Sequence, residues 1–238
     1  LREIMKYSSD IIVFKNGQWK VNSKNEILSM YLSSFYDQHL IDIKSVSIKV
    51  LSEKDPTLEL TLEDKISSFM SGVVPKFSSG LKQGLCETIA FIGVNSSNLK
   101  YCSSDVRRSI TGSILREILK SDDWRIWANL NGLLPVLAEA DPDEFLSIVK
   151  DILLKPSGAF AVFFGQDKEK FEMSELFMFG LYQALEVLAW SEEYLQSSLI
   201  ALAGLAHLYP KGKENYPLNS ITGILFPWLP QTTAPLES

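Results

Sequence analysis

Leucines recur along this chain at a helical spacing, and the same arrangement returns about every 50 residues. In 81-LKQGLCETIA-90, 130-LNGLLPVLAE-139 and 181-LYQALEVLAW-190, a Leu is followed four residues later by a second Leu. Four residues further on comes an apolar residue, giving the triplets Leu81/Leu85/Ile89, Leu130/Leu134/Ala138 and Leu181/Leu185/Ala189. An i, i+4, i+8 stripe occupies one face of an α-helix. Three amphipathic helices are therefore predicted, with Leu81, Leu85, Leu130, Leu134, Leu181, Leu185 and Trp190 in the core. Gly84 and Ala184 are small enough to admit a neighbouring helix at close range. After the second and third copies, an acidic break (141-DPDEFL-146 or 192-EEYL-195) leads into another apolar helix, 145–154 or 194–208. Asp141 is placed to cap the first of these, with Pro142 in its first turn. A helix pair repeating at this period predicts an all-α fold, a HEAT-like α-solenoid over residues 23–238, with an irregular helical bundle as the alternative.

The remaining segments read less regularly. In 11-IIVFKNGQWKV-21, Asn16-Gly17 favours a type I′ turn between apolar runs, which predicts a β-hairpin within residues 1–22. It is either the wing of a winged-helix module whose helices lie upstream or the last hairpin of a preceding domain. Ser23 and Glu26 have capping-box spacing ahead of a helix that places Ile27, Tyr31, Phe35 and Leu40 on one face. Residues 41–60 are rich in β-branched side chains but are read as helix, and a further helix is predicted from Leu62 to just before Pro75. The short apolar run Ala159 to Phe164, bracketed by Gly158 and Gly165, reads as core.

The C-terminal stretch 215-NYPLNSITGILFPWLPQTTAPL-236 is unusually apolar for the end of a chain. A solenoid exposes an apolar face at its end, and Pro217 to Pro230 is predicted to cap it by folding over the helix 194–208. Leu218, Ile221, Ile224, Leu225, Phe226 and Trp228 would face that helix, and Asn219 or Ser220 would cap a short helix running to about Phe226. Beyond Gln231 the Thr, Ala and Pro content reads as a linker.

Composition narrows the function classes. The 238 residues are 46% hydrophobic and 22% charged, as in an ordinary folded protein. Residues 1–120 carry 16 Lys+Arg against 13 Asp+Glu, whereas residues 121–238 carry 7 against 16. The acidic second half repels phosphate backbones, and Arg107-Arg108 in the first half reads as an exposed helical turn rather than a nucleic-acid patch. Cys86 and Cys102 are the only cysteines and form no C-x-x-C, which fits a reducing cytoplasm. The uncharged stretch 194–210 contains Gln196, Ser197, Ser198 and His207 and reads as a buried helix, not a membrane span. With His39 and His207 the only histidines, neither a triad nor a zinc spacing emerges, and no phosphate-binding glycine motif is present. The expectation is a non-catalytic region without metal or cofactor. The start at Leu1, followed by 2-REIMKYSSD-10, reads as the middle of a longer or processed protein.

The segments 181-LYQALEVLAWSEEYL-195 and 216-YPLNSITGILFPWLPQT-232 resemble the C-terminal helical part of very large bacterial proteins. In that family an "LxxALExLAW…YL" helix is followed by "PLNSL…IFLPWxPQT". The segments 17-GQWKV-21, 55-DPTLELTLEDK-65 and 78-SSGLKQGLCETIAFIG-93 are similar to it as well, so the resemblance covers nearly the whole chain. Leu229 stands where the family has His, which argues against a polar site around Trp228. Such proteins look like STAND-type ATPases of antiviral defence: an N-terminal effector, a nucleotide-binding module and a C-terminal helical sensor. The resemblance implies that the ATPase and effector lie upstream, and that this region recognises a foreign or phage protein through its helical-repeat surface. The alternative is a passive helical scaffold that holds subunits together.

Overall fold

The computed structural model describes residues 12–15, 18–58, 60, 74–165, 175–210, 216–226 and 232–234. The fold is predominantly helical. Two short strands, β1 (Ile12–Lys15) and β2 (Gln18–Val21), pair antiparallel with Ile12 opposite Val21 and Lys15 opposite Gln18. The Asn16-Gly17 turn between them lies outside the described residues, as does the helix expected from Leu62.

Eleven α-helices follow among the described residues: α1 (Lys24–Leu32), α2 (Asp37–Leu51), α3 (Ser79–Val94), α4 (Ser104–Leu119), α5 (Trp124–Asn129), α6 (Leu134–Ala140), α7 (Pro142–Leu153), α8 (Ala159–Phe164), α9 (Phe179–Ala189), α10 (Glu192–Leu208) and α11 (Tyr216–Ile224). The helices start where the side chains dictate. The Ser23 hydroxyl accepts the Glu26 amide at 3.4 Å, Ser78 accepts that of Leu81 at 3.2 Å, and Asp141 accepts that of Glu144 at 3.2 Å. Each satisfies an amide that the helix itself leaves free.

The long helices lie in two rows. In one, α1 packs on α3, α3 on α6 and α6 on α9; in the other, α2 packs on α4, α4 on α7 and α7 on α10. Helices within a row run the same way. Tyr36 and Tyr101 bridge the starts of α2 and α4, while Lys44 reaches Glu117 further along both at 2.5 Å. Between α4 and α7, Arg116 pairs with Glu144 and Lys120 with Asp151. The short α5 and α8 bring aromatic rings between the rows. The Trp127 ring meets Phe160 edge-on at 4.9 Å and Phe145 at 6.2 Å, and all three side chains are buried. Such pairs add about 0.5–1.5 kcal/mol each beyond the area they bury.

Close approach between helices falls on glycines other than Gly84. Among the described residues a Cβ at Gly84 would meet nothing within 4 Å, so none of them makes the close contact expected there. A Cβ at Gly93 would instead lie 2.0 Å from the Ala140 carbonyl oxygen, and one at Gly180 would lie 1.6 Å from that of Asn131. The α3–α6 and α6–α9 contacts therefore run through backbone, at the end of one helix pair and the start of the other.

Several expectations about individual elements need correction. The helix expected to continue through Phe35 and Leu40 breaks at residues 33–36, so Tyr31 turns to solvent while Leu32 and Leu40 are buried. The single helix expected over 130–139 is split: α5 ends at Asn129, a 3₁₀ turn covers Asn131–Leu133, and α6 begins at Leu134. The β-branched run after Ile41 is helical as far as Leu51. Helix α11 begins at Tyr216, so Asn219 and Ser220 lie inside it instead of capping it.

Candidate functional site

The repeated leucines divide into two groups. Leu130, Leu134, Leu181 and Leu185 are fully buried, and Leu85 is half-buried against the core. Leu81 is 44% exposed and Trp190 57% exposed, so neither belongs to the core. On α3 the buried stripe is Lys82, Cys86, Ile89 and Ile92, one residue out of phase with Leu81. On α9 the stripe ends at Leu188 and Ala189, and the next residue, Trp190, turns about 100° away from it.

The C-terminal segment packs as a helix but not on the face expected. Helix α11 lies against both α10 and α9. Ile224 is fully buried and Ile221 packs on the core, whereas Leu218, Leu225 and Phe226 are about half exposed. Trp228 lies outside the described residues.

The displaced stripe on α3 puts an ammonium group in the interior. Lys82 donates to the Glu53 carboxylate at 2.9 Å and to the Asn129 side-chain oxygen at 3.1 Å. Asn129 closes the ring by donating its amide to the Glu53 carbonyl at 2.7 Å. The Glu53 carboxylate also accepts the backbone amides of Lys76 at 2.5 Å and Phe77 at 3.4 Å. Four segments are joined this way: the end of α2, the approach to α3, its first turn, and the end of α5. Burial alone pushes the Glu53 carboxyl up, but the Lys82 ammonium and the two amides outweigh it and hold it below the usual carboxylate range. Glu53 is thus ionised and weakly basic, which suits it to holding positions.

An open cleft of about 330 Å³ lies beside this cluster. Phe77, Pro75 and Leu133 give it apolar walls, and Lys82, Asn129 and Gln83 give it polar ones. Two exposed apolar side chains neighbour these residues in sequence. Leu81 adjoins Lys82, and Phe179, also 44% exposed, adjoins Gly180, whose amide donates to the Asn131 side chain at 2.5 Å. The N-terminal ends of α3, α6 and α9 thereby lie along one edge of the row, with the cleft between the first two, and Leu81 and Phe179 are exposed in the first turns of α3 and α9.

The other candidate residues have local roles. His39 is exposed, and its Nδ1 accepts the Tyr36 amide at 3.0 Å, completing the start of α2. His207 lies exposed in the last turn of α10. Cys86 is a buried thiol pushed up to about 12 by burial, and Cys102 donates its thiol to the Phe35 carbonyl at 3.3 Å. Arg107 and Arg108 sit near the start of α4, and Arg108 is exposed. Ala159, Phe160, Phe163 and Phe164 are core. Among the described residues no His, Cys, Asp and Glu group could hold a metal ion, and no described helix is long and apolar enough to cross a membrane.

The Glu53–Lys82–Asn129 cluster was missed because it joins distant segments. One signal for it exists. A lysine at i−4 from Cys86 and i−7 from Ile89 stands on an apolar stripe, where a buried partner is required. No protein-family model matches the chain, nor does any curated protein or solved structure.

Proposed function

We propose that this chain is a protein-recognition region built as a HEAT-like solenoid, with residues 1–22 ending a preceding module. In this reading it is the cytoplasmic, non-catalytic sensor of a larger bacterial antiviral ATPase of the STAND type. It binds a foreign or phage protein and uses neither metal nor cofactor, and nucleotide hydrolysis belongs to parts of the protein outside this region. The observation that carries the reading is the edge formed by the starts of α3, α6 and α9. There, an open cleft lies beside a closed charge cluster, and Leu81 and Phe179 stand exposed in the first turns of α3 and α9. A fixed polar cluster with exposed apolar side chains on neighbouring helix starts suits a protein hot spot. The acidic second half disfavours nucleic acid as the partner.

One observation favours the scaffold reading: Leu218, Leu225 and Phe226 stay half exposed on α11, at the C-terminal end of the rows. Exposed apolar side chains at the end of a row suit subunit assembly. Co-expressing the full-length protein with individual phage genes separates the two readings. A sensor responds to and copurifies with one or a few phage proteins, and Leu81→Glu abolishes the response. If no phage protein elicits a response while Phe226→Glu dissociates an oligomer, the scaffold reading holds instead.

A further inference from the structure

The corner between α9 and α10 leaves two backbone groups in need of partners. Trp190 ends α9 and presents its carbonyl oxygen, and Ser191 precedes α10 without a side-chain cap. Both needs are met by one residue more than 40 positions further on. The Thr233 amide donates to the Trp190 carbonyl at 2.8 Å, and the Thr233 hydroxyl donates to the same oxygen at 3.0 Å. The Glu192 amide, the first of α10, donates to the Thr233 hydroxyl oxygen at 3.3 Å. Composition beyond Gln231 predicts a linker, yet this threonine is tied to the fold.

We propose that Thr232–Ala234 is a detachable clasp that supplies α10 with its missing N-cap and ties residues 232–234 to the corner between α9 and α10. The hydroxyl performs the cap, since its oxygen accepts the Glu192 amide, while the Thr233 amide and hydroxyl both donate to the Trp190 carbonyl. The clasp is detachable because Thr233 is exposed and, among the described residues, it is tied to the corner by three hydrogen bonds. Groups held this way open locally without the core unfolding. Opening uncovers the Trp190 carbonyl and the first turn of α10 together.

Amide exchange followed by NMR on the whole chain tests this. In Thr233→Val, which keeps the backbone N–H but lacks the hydroxyl, the Glu192 amide should exchange roughly 3- to 30-fold faster, the loss that removing an N-cap brings. Amides in α4 and α7 should be unchanged, and Thr233→Ser should restore the wild-type rate. Equal Glu192 rates in wild type and Thr233→Val would overturn the proposal. So would a serine variant that behaves like valine, or acceleration spread evenly over α4 and α7.

Discussion

The Lys82 ammonium lies 2.9 Å from the Glu53 carboxylate, both side chains about nine-tenths buried, and the pair joins the loop after α2 to the first turn of α3. Its main effect is to fix geometry, because the cost of desolvating two ions offsets much of their attraction. Removing one partner is another matter. Glu53→Ala or Lys82→Met each leaves an uncompensated buried charge or open acceptors, and each should destabilise by about 3–5 kcal/mol in urea unfolding. The double variant should cost well under the sum. Additive losses would show that the two groups are not coupled.

The same pair sets a pH dependence. The Glu53 carboxyl is held below its ordinary range in the folded state, so its stabilising contribution is present above that range. It is lost as pH falls through the folded-state value. Unfolding free energy measured from neutral to acid pH should therefore fall more steeply in wild type than in Glu53→Gln. Parallel curves would contradict this.

Asp141 behaves in the opposite sense. Burial raises its carboxyl, and the Glu144 amide and Thr111 hydroxyl only partly counter that. A raised carboxyl stabilises the fold below its unfolded value and loses that contribution as pH rises through the folded one. Asp141→Asn keeps a capping oxygen without the charge, so at neutral pH it should melt at or above the wild-type temperature. Asp141→Ala should cost about 1 kcal/mol. An asparagine variant as unstable as the alanine one would refute the argument.

How much was legible follows from these residues. Leu130, Leu134, Leu181 and Leu185 were readable because periodicity reports which face of a helix is apolar. Leu81 was not, because its stripe competes with Lys82–Cys86–Ile89, and only the distant Glu53 and Asn129 make burying a lysine tolerable. Trp190 follows the apolar stripe in sequence but leaves it in angle, about 100° on from buried Ala189, so hydrophobicity alone points the wrong way. Helix α4, with polar residues through its first two turns, gave no leucine triplet although it supplies Ile114, Leu115, Ile118 and Leu119 to the core. The cleft joins residues from 55 to 133 and has no local sequence signal.

The glycines give a clean contrast. Gly84→Ala puts a methyl group into open space in mid-helix and should stabilise by about 0.5–1 kcal/mol. Gly93→Ala and Gly180→Ala drive a methyl group into a carbonyl oxygen and should each cost roughly 3 kcal/mol or more. Thermal melting of the three variants checks this, and a well-tolerated Gly180→Ala would mean that α9 does not approach Asn131 as described.

The central claim is that the edge at the starts of α3, α6 and α9 binds a protein. Once co-expression has identified a phage protein, its affinity for wild type, Leu81→Glu and Phe179→Glu measured by calorimetry is the direct test. The account predicts that each of these variants melts like wild type yet binds at least about ten-fold more weakly, a loss of about 1.4 kcal/mol. Variants that bind as tightly as wild type would place recognition elsewhere and contradict it.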